Sequence, residues 1–295
     1  MNQQVYQEQY QAYTALIEAR LASLCQTYLP QTSRIGQAAQ YSLLCGGKRV
    51  RAVLTLVSCA LAGGTAADAL DYACALEMLH CYSLIHDDLP CMDNDDVRRG
   101  KPSCHKQYGE ATALLAADAL VTAAFEVIAN AALPAQSRAD AVAALAIGGG
   151  ARGMLYGQEL DKTYETQRAS EQQLLELHRH KTGALIITAA QLGCAACGAD
   201  ASVQECLVRY AAELGLVFQI VDDILDVTST TAQLGKPVGS DAANDKTTFI
   251  TLYGLEGAKA LARCHNEAAV TALADFGEQA DFLRKMAQAL LERDK

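Results

Sequence analysis

The stretch 83–105 reads SLIHDDLPCMDNDDVRRGKPSCH, an apolar segment that runs into a cluster of aspartates followed by two arginines. Asp87 and Asp93 are six residues apart, which is about 240° on an ideal helix, so a regular helix would keep their carboxylates apart. Pro90 lies between them and disfavours helix at Leu89. We therefore predict that the helix carrying Asp87 is disrupted there, and that two looped-out residues restore a four-residue spacing to Asp93.

A second cluster of aspartates lies in the stretch 217–227, VFQIVDDILDV. At 100° per residue, Gln219, Asp222, Asp223 and Asp226 fall on one helix face. Clustered carboxylates repel one another, and a hard divalent cation with oxygen ligands supplies the counter-charge. Either cluster alone is equally typical of an exposed acidic helix end. Two clusters, each on an apolar helix, predict a divalent metal site.

The composition excludes several classes of protein. The chain of 295 residues has a net charge of −10, whereas a nucleic-acid-binding protein is expected to be basic. Eleven scattered cysteines, an odd number, indicate reduced thiols in a cytoplasmic protein. The N-terminus lacks a signal-peptide pattern, and the longest apolar run, 183–199, is too short to predict a membrane span.

Helical periodicity dominates, and Ala and Leu, the residues of lowest helical cost, are abundant. We predict one all-α domain over 1–295, with roughly ten or more helices around a deep central cavity. Ser170 and Gln173 form a capping-box pattern, and the polar stretch 229–245 has the composition of a mobile loop. The predicted helices are 5–28, 33–45, 50–62, 66–89, 109–132, 137–162, 171–197, 202–228, 247–263 and 264–293.

Basic residues provide candidate anion ligands. Lys48 and Arg51 are three apart at the start of an apolar helix, and there they are expected to point the same way. His80 lies two turns before Asp87 on the same stripe, although a lone histidine is more often a packed core residue. Gly183, which follows Lys181 and Thr182 within a predicted helix, costs about 1 kcal/mol relative to Ala and predicts a local irregularity.

The two aspartate clusters together resemble the two aspartate-rich motifs of trans-isoprenyl diphosphate synthases. The stretch 83–105, with Pro90 and Cys91 inserted in the first motif, is similar to the short-chain bacterial members. Ala52 departs from the family, which usually has proline there. The resemblance implies the isoprenoid synthase fold, a homodimer, and magnesium-dependent condensation of isopentenyl diphosphate with dimethylallyl and geranyl diphosphate to give farnesyl diphosphate. Geranylgeranyl diphosphate synthase, class I terpene cyclase and non-catalytic subunit remain the alternatives.

The resemblance also implies roles for individual residues. Three Mg²⁺ ions, for which Mn²⁺ is a possible substitute, would be held by Asp87, Asp93 and Asp222. The outer shell of these ions would contain Asp88, Asp223 and Asp226. Isopentenyl diphosphate would be bound by Lys48, Arg51, His80 and Arg99. The residues that bind the allylic diphosphate would be Arg98, Lys181, Thr182, Gln219, Lys236 and Lys246. Of these, Thr182 and Gln219 would lie near the developing cation.

Product length is expected to depend on Tyr82 and Ser83. Ser83 lies about 40° from the direction of Asp87 on the helix and Tyr82 about 140°, so helix geometry alone favours Ser83 as the residue facing the cavity. The family resemblance instead implies that an aromatic residue five positions before the first motif closes the cavity. Packing of Tyr82 between helices is the alternative.

Overall fold

The computed structural model describes residues 1–228 and 247–293, and in those residues almost all regular structure is helical. The helices are α1 (Gln3–Tyr28), α2 (Arg34–Leu43), α3 (Val50–Leu61), α4 (Leu70–Asp87), α5 (Cys104–Tyr108), α6 (Glu110–Asn130), α7 (Ala135–Gly149), α8 (Met154–Tyr164), α9 (Glu171–His178), α10 (Ala184–Cys197), α11 (Ala201–Thr228), α12 (Phe249–Thr271) and α13 (Asp281–Leu291). A π-helical segment, Arg179–Gly183, joins α9 to α10, and a 3₁₀ segment, Ala274–Ala280, precedes α13. Two short antiparallel strands, β1 (Val97–Arg98) and β2 (Lys101–Pro102), pair with Val97 opposite Pro102.

The all-α prediction is confirmed, with corrections at two boundaries. The predicted helix 137–162 is two helices, because the chain turns at residues 150–153 and Gly153 has non-helical angles (φ −136°, ψ −121°). The predicted break between residues 263 and 264 is wrong, because α12 continues to Thr271. Its one irregularity is Gly254, which has a left-handed φ of 68° that glycine adopts without a Cβ clash.

Three local predictions are confirmed. Ser170 and Gln173 form the reciprocal capping box of α9. The segment that contains Gly183 is a π-helix instead of regular α-helix, which confirms the predicted local irregularity. Helix α4 ends at Asp87, before Pro90.

The chain forms two compact units. The C-terminal unit comprises Met1–Tyr6, Leu145–Gln191 and Asp200–Lys295, and the N-terminal unit comprises Gln7–Ala144 and Leu192–Ala199. The single domain of residues 1–295 stays a prediction.

The N-terminal unit is built around α4, whose side chains Tyr72, Leu76 and Met78 are fully buried. Arg49 stands just before α3 with a left-handed φ of 52°. Its guanidinium binds Glu18 at 2.7 Å and Glu77 of α4 at 2.9 Å. Because Arg49 and Glu77 are both almost completely buried, each supplies the charge that the other needs in the low-dielectric interior. This pair holds the start of α3 against α4.

The C-terminal unit brings helices into backbone contact at glycines. A Cβ atom on Gly157 of α8 would lie 2.1 Å from the backbone nitrogen of Lys181, and a Cβ on Gly215 of α11 would lie 2.9 Å from the Cα of Gly183. Only glycine permits both approaches. Helices α8 and α11 therefore pack directly on the π-helical segment that presents Lys181 and Thr182.

Among the described residues, α6 is long and apolar enough to cross a membrane by length and composition, a weak indication that core helices also give. Of its most apolar window, 44% is buried inside the protein. Helix α6 packs against α4 and α2, as a core helix does.

Candidate active site

The first aspartate cluster folds as the sequence predicts, with a loop that returns Asp93 to the end of α4. The backbone N–H of Asp93 donates to the carbonyl oxygen of Asp87 at 2.8 Å, which closes residues 88–92 into a tight turn. Asp87 is 9% exposed, and Asp93 is exposed. The irregularity expected at Pro90 is confirmed and brings the Asp87 and Asp93 backbones into contact.

Asp88, the next residue along, is bound to Arg98 of β1. The guanidinium donates from its Nε to Asp88 Oδ1 at 3.0 Å and from Nη2 to the same carboxylate, and it also reaches Asp95 Oδ2 at 3.2 Å. Asp88 is 2% exposed. Burial raises the pKa of its carboxyl above the ordinary value, and the hydrogen bonds and charge of Arg98 oppose that shift. Asp88 thus orients Arg98, a predicted ligand of the allylic diphosphate.

The predicted isopentenyl diphosphate ligands lie close together in the N-terminal unit. Arg51 Nη1 donates to His80 Nε2 at 3.3 Å. Arg99 donates to the carbonyl oxygen of Gly46, and a Cβ on Gly47 would lie 2.8 Å from the Arg99 guanidinium carbon. The glycine pair before Lys48 therefore makes room for Arg99.

Lys48 itself requires a correction. Helix α3 begins at Val50, and Lys48 is an exposed residue that precedes the left-handed Arg49. The helical argument that Lys48 and Arg51 point the same way is therefore wrong, because Lys48 is outside the helix. Its carbonyl oxygen accepts a hydrogen bond from the Tyr10 hydroxyl at 2.6 Å, which fixes the backbone at that point.

His80 is electrically neutral in this arrangement. Burial, followed by the charges of Arg51 and Arg99, holds the pKa of its imidazole well below the ordinary value. Since a guanidinium can only donate, Nε2 of His80 is the acceptor and the proton of the neutral ring is on Nδ1. A bound dianion would offset the arginine charges and raise the pKa of His80.

The second aspartate cluster lies on α11, where its members have different surroundings. Asp223 is 4% exposed and accepts hydrogen bonds from the Gln219 amide at 3.1 Å and from the backbone N–H of Phe249 at 2.8 Å. Asp226 is 3% exposed. The side chain of Asp222 is 41% exposed. Of the three carboxylates, that of Asp222 is the most open to a ligand from solution.

Arg293, which follows α13, was not predicted as a site residue. It forms an ion pair with Asp222 at 2.5 Å, donates to the Phe218 carbonyl oxygen at 2.8 Å and stacks 4.2 Å from the centre of the Phe218 ring. The residues are 71 positions apart, and no local pattern links them. The guanidinium of Arg293 thus contacts the carboxylate of Asp222, which is a predicted metal ligand.

The π-helical segment presents Lys181 and Thr182 in two different directions. Lys181 forms an ion pair with Asp161 of α8 at 2.5 Å. Thr182 donates from its hydroxyl to the Gln219 side-chain oxygen at 3.2 Å. The ion pair between Lys181 and Asp161 was not predicted. Lys236 and Lys246 lie outside the described residues.

Tyr82 and Ser83 are both buried, at 7% exposure each. The Tyr82 ring contacts the His86 imidazole edge-on, with centroids 5.1 Å apart, and the Ser83 hydroxyl donates to the His80 carbonyl oxygen at 2.9 Å. The hydroxyl of Ser83 is therefore used within its own helix. Tyr82 carries the larger side chain into the interior of the N-terminal unit.

These carboxylates fit a magnesium site in their chemistry. Mg²⁺ prefers oxygen ligands and is commonly bound by one or two carboxylates together with substrate phosphates. The loop that returns Asp93 to Asp87, and the open face of Asp222, offer such oxygen atoms.

The fold and these side chains define a class of protein: an all-α enzyme with aspartate motifs for a hard cation and basic groups for anions. The polyprenyl synthetase family model matches residues 32–282, and the chain belongs to that family.

Comparison with individual proteins agrees. The chain is 44% identical to the farnesyl diphosphate synthase of Micrococcus luteus over 274 residues, 92% of this chain and 94% of that protein. It is 48% identical to a chloroplastic geranylgeranyl pyrophosphate synthase of Capsicum annuum over 245 residues, 82% of this chain and 66% of that protein. A solved geranyltransferase from Legionella pneumophila matches with a TM-score of 0.87 and 35% identity, covering 99% of this chain and 98% of that one.

Proposed function

We propose that the protein condenses isopentenyl diphosphate with dimethylallyl and then geranyl diphosphate to give farnesyl diphosphate. The observation that carries this proposal is that each unit has its own basic group: Arg51, paired with His80, in the N-terminal unit, and Lys181, paired with Asp161, in the C-terminal unit. Two diphosphate substrates require two such groups. A terpene cyclase has a single diphosphate substrate and needs only one.

In the proposed reaction the allylic C–O bond breaks and leaves a carbocation, which the double bond of isopentenyl diphosphate attacks. A C–C bond forms, and a proton then passes to the released diphosphate. Bound Mg²⁺, held by Asp87, Asp93 and Asp222, would supply positive charge that neutralises the leaving group.

The chain's own residues position the reactants. Lys181 would exchange its ion pair with Asp161 for the allylic diphosphate, and Arg98, oriented by Asp88, would bind the same group. The hydroxyl of Thr182 and the side-chain oxygen of Gln219 present dipoles suited to the developing cation. Groups of this kind accelerate a reaction by stabilising the charge that develops in the transition state.

The experiment is product analysis by liquid chromatography and mass spectrometry. Purified protein supplied with isopentenyl and dimethylallyl diphosphates should make farnesyl diphosphate with Mg²⁺ and none in excess chelator. Asp222→Ala should lower turnover by about 100-fold or more, since one lost charge-stabilising group is worth roughly 2.7–4 kcal/mol. Glu256→Gln, a change at an exposed carboxylate of α12, is the control. Undiminished turnover in chelator, or wild-type turnover of Asp222→Ala, would contradict the proposal.

Compartment and assembly are part of the proposal. All eleven cysteines are free thiols, which fits the reducing cytoplasm. The exposed side chains of Leu114 and Leu115 on α6, 45% and 49% accessible, offer an apolar surface for a second copy of the chain. We therefore infer a cytoplasmic homodimer.

A further inference from the structure

A groove of about 460 Å³ lies within the C-terminal unit, lined in part by Arg179, His180 and Gly183 of the π-helical segment. Its walls come from the end of α7, the turn at residues 150–153, α10 and α11. Small-molecule sites in proteins have volumes of about 300–1,000 Å³ and are mostly apolar with a few polar groups. The groove matches that description in size.

This groove is separate from the residues assigned to catalysis. His180 and Gly183 line it, whereas Lys181, Thr182 and Gln219 do not. Lys181 is bound to Asp161 and Thr182 to Gln219, in other directions from the same π-helical segment. A ligand in the groove would therefore leave these predicted substrate contacts in place.

The groove is lined by apolar side chains together with two arginines. Ile147, Ile187 and Leu216 supply the apolar part. Arg152 and Arg179, both exposed residues, also line the groove, and within residues 1–228 and 247–293 neither side chain has a hydrogen-bonding or ionic partner.

The one carboxylate at the groove's edge does not neutralise these arginines. Glu213 is bound to Nδ1 of His265 at 2.6 Å. Two arginines among apolar lining residues are complementary to an anionic head attached to an apolar tail. Guanidinium matches phosphate oxygens in particular, because its fork can donate two hydrogen bonds to them.

The volume limits the length of the tail. At about 30 Å³ for a group the size of a water molecule, the groove holds roughly fifteen such groups. That corresponds to a chain of about ten to fifteen carbons, with the phosphate at the arginines. Single-chain phosphate esters of this size include the prenyl diphosphates of the proposed reaction.

We propose that this groove is a second binding site, apart from the catalytic one, for a phosphate or diphosphate ester with an apolar tail of about ten to fifteen carbons. That the natural ligand is a prenyl diphosphate rests on the proposed function. That the groove binds a phosphate ester with an apolar tail is inferred from its lining residues and volume alone.

The test is calorimetric titration of the full-length protein with dodecyl phosphate in chelator, where metal-dependent binding is suppressed. Wild type should bind one equivalent per chain. The double variant Arg152→Gln/Arg179→Gln should bind at least tenfold more weakly, and so should Ala212→Phe, which fills the groove from α11. Arg263→Gln, at an exposed arginine of α12, controls for the loss of one positive charge and should bind like wild type. Inorganic diphosphate, which lacks the tail, should bind far more weakly than dodecyl phosphate.

Three results would overturn the proposal. One is tight binding that both groove variants retain and Lys181→Gln loses, because the ligand would then be in the catalytic site. Another is a groove variant that changes the oligomeric state without changing dodecyl phosphate binding, because a second copy of the chain would then cover the groove. The third is the absence of binding to wild type. If dodecyl phosphate binds as expected while no farnesyl diphosphate is formed, the second binding site is supported and the proposed reaction is contradicted.

A second set of titrations identifies the natural tail. Farnesyl phosphate and dodecyl phosphate share the head group and differ in the branched tail. Tighter binding of farnesyl phosphate to wild type, lost in Arg152→Gln/Arg179→Gln, would assign the site to prenyl compounds. Equal or weaker binding would assign it to unbranched alkyl phosphates and overturn the prenyl assignment.

Discussion

At the scale of single residues, the carboxylate of Asp222 can bind either the guanidinium of Arg293 or a metal ion. In this structure Arg293 binds it at 2.5 Å, and the Phe218 ring and carbonyl oxygen hold the guanidinium in that position. A metal ion at Asp222 would share the carboxylate with Arg293 or displace it. We therefore expect Arg293 to weaken metal binding at Asp222.

Arg293→Gln should lower the Mn²⁺ concentration needed for half-saturation of the substrate-free protein by about two- to tenfold, measured by electron paramagnetic resonance. The reason is that the amide is neutral and competes less well for the carboxylate. Arg263→Gln controls for the change in net charge. Unchanged metal affinity in Arg293→Gln would show that the ion pair does not oppose the metal.

His178 predicts a dependence of stability on pH. Burial lowers the pKa of its imidazole to about 3, and within the described residues its Nδ1 has no hydrogen-bond partner. The unfolded chain takes up this proton near pH 6.5 and the folded protein does not, so stability falls as pH drops through that range. Between pH 6.5 and 5 the loss is about 2 kcal/mol, at 1.36 kcal/mol for each pH unit.

His178→Phe should remove that part of the loss. Thermal unfolding followed by circular dichroism at pH 7 and pH 5 would show a smaller fall in melting temperature for the variant than for wild type. His265→Gln, at a histidine already paired with Glu213, is the comparison. An equal fall in His178→Phe and wild type would contradict the prediction.

At the scale of helices, the position of the π-helical segment depends on glycines in its neighbours. Gly157→Ala should destabilise the protein by about 1–3 kcal/mol, because the new methyl group would collide with the backbone of Lys181 and the helices must move apart. Gly183→Ala, whose new atom would approach only to 3.4 Å of the His178 carbonyl oxygen, is the matched control. Melting temperatures of both variants test the argument. Equal values would show that α8 does not need the close approach.

Product length also belongs to this scale, because we expect the growing product to extend along α4 toward Tyr82 and Ser83. We predict that Tyr82→Ala shifts the product toward geranylgeranyl diphosphate, since one more isoprene unit buries about four methylene-sized groups worth roughly 0.8 kcal/mol each. Ser83→Phe should stop the chain at geranyl diphosphate. Mass spectrometry of the products distinguishes these results. If the Tyr82→Ala protein folds, stays active and still makes only the fifteen-carbon product, then Tyr82 is not the residue that limits product length.

At the scale of the whole molecule, we predict a homodimer. Light scattering at micromolar concentration should give twice the chain mass of 31.4 kDa. Leu114→Glu/Leu115→Glu should give the monomer mass, because charges would replace an exposed apolar surface of α6. Leu252→Glu, at a leucine of α12 that is 39% accessible, should leave the dimer intact. A wild-type protein of 31.4 kDa in solution would refute the assembly.

The amino-acid sequence by itself determined the features that depend on neighbouring residues. Helical class follows from apolar periodicity, the capping box from Ser170 and Gln173, and the irregular turn from the position of Pro90. A local irregularity at Gly183 was expected from a single costly residue in a helix, and the structure shows it as a π-helical segment. Each of these arises from hydrogen bonds or steric contacts within a few positions, so a local pattern carries the information.

Only the tertiary structure decided which charged groups meet. The binding of Arg293 to Asp222, of Lys181 to Asp161 and of Arg51 to His80 joins residues that are 71, 20 and 29 positions apart. Periodicity places each residue on a face of its helix, but partners across helices depend on how the helices pack. That packing depends on glycine contacts and buried side chains spread through each unit, which no short stretch of sequence contains.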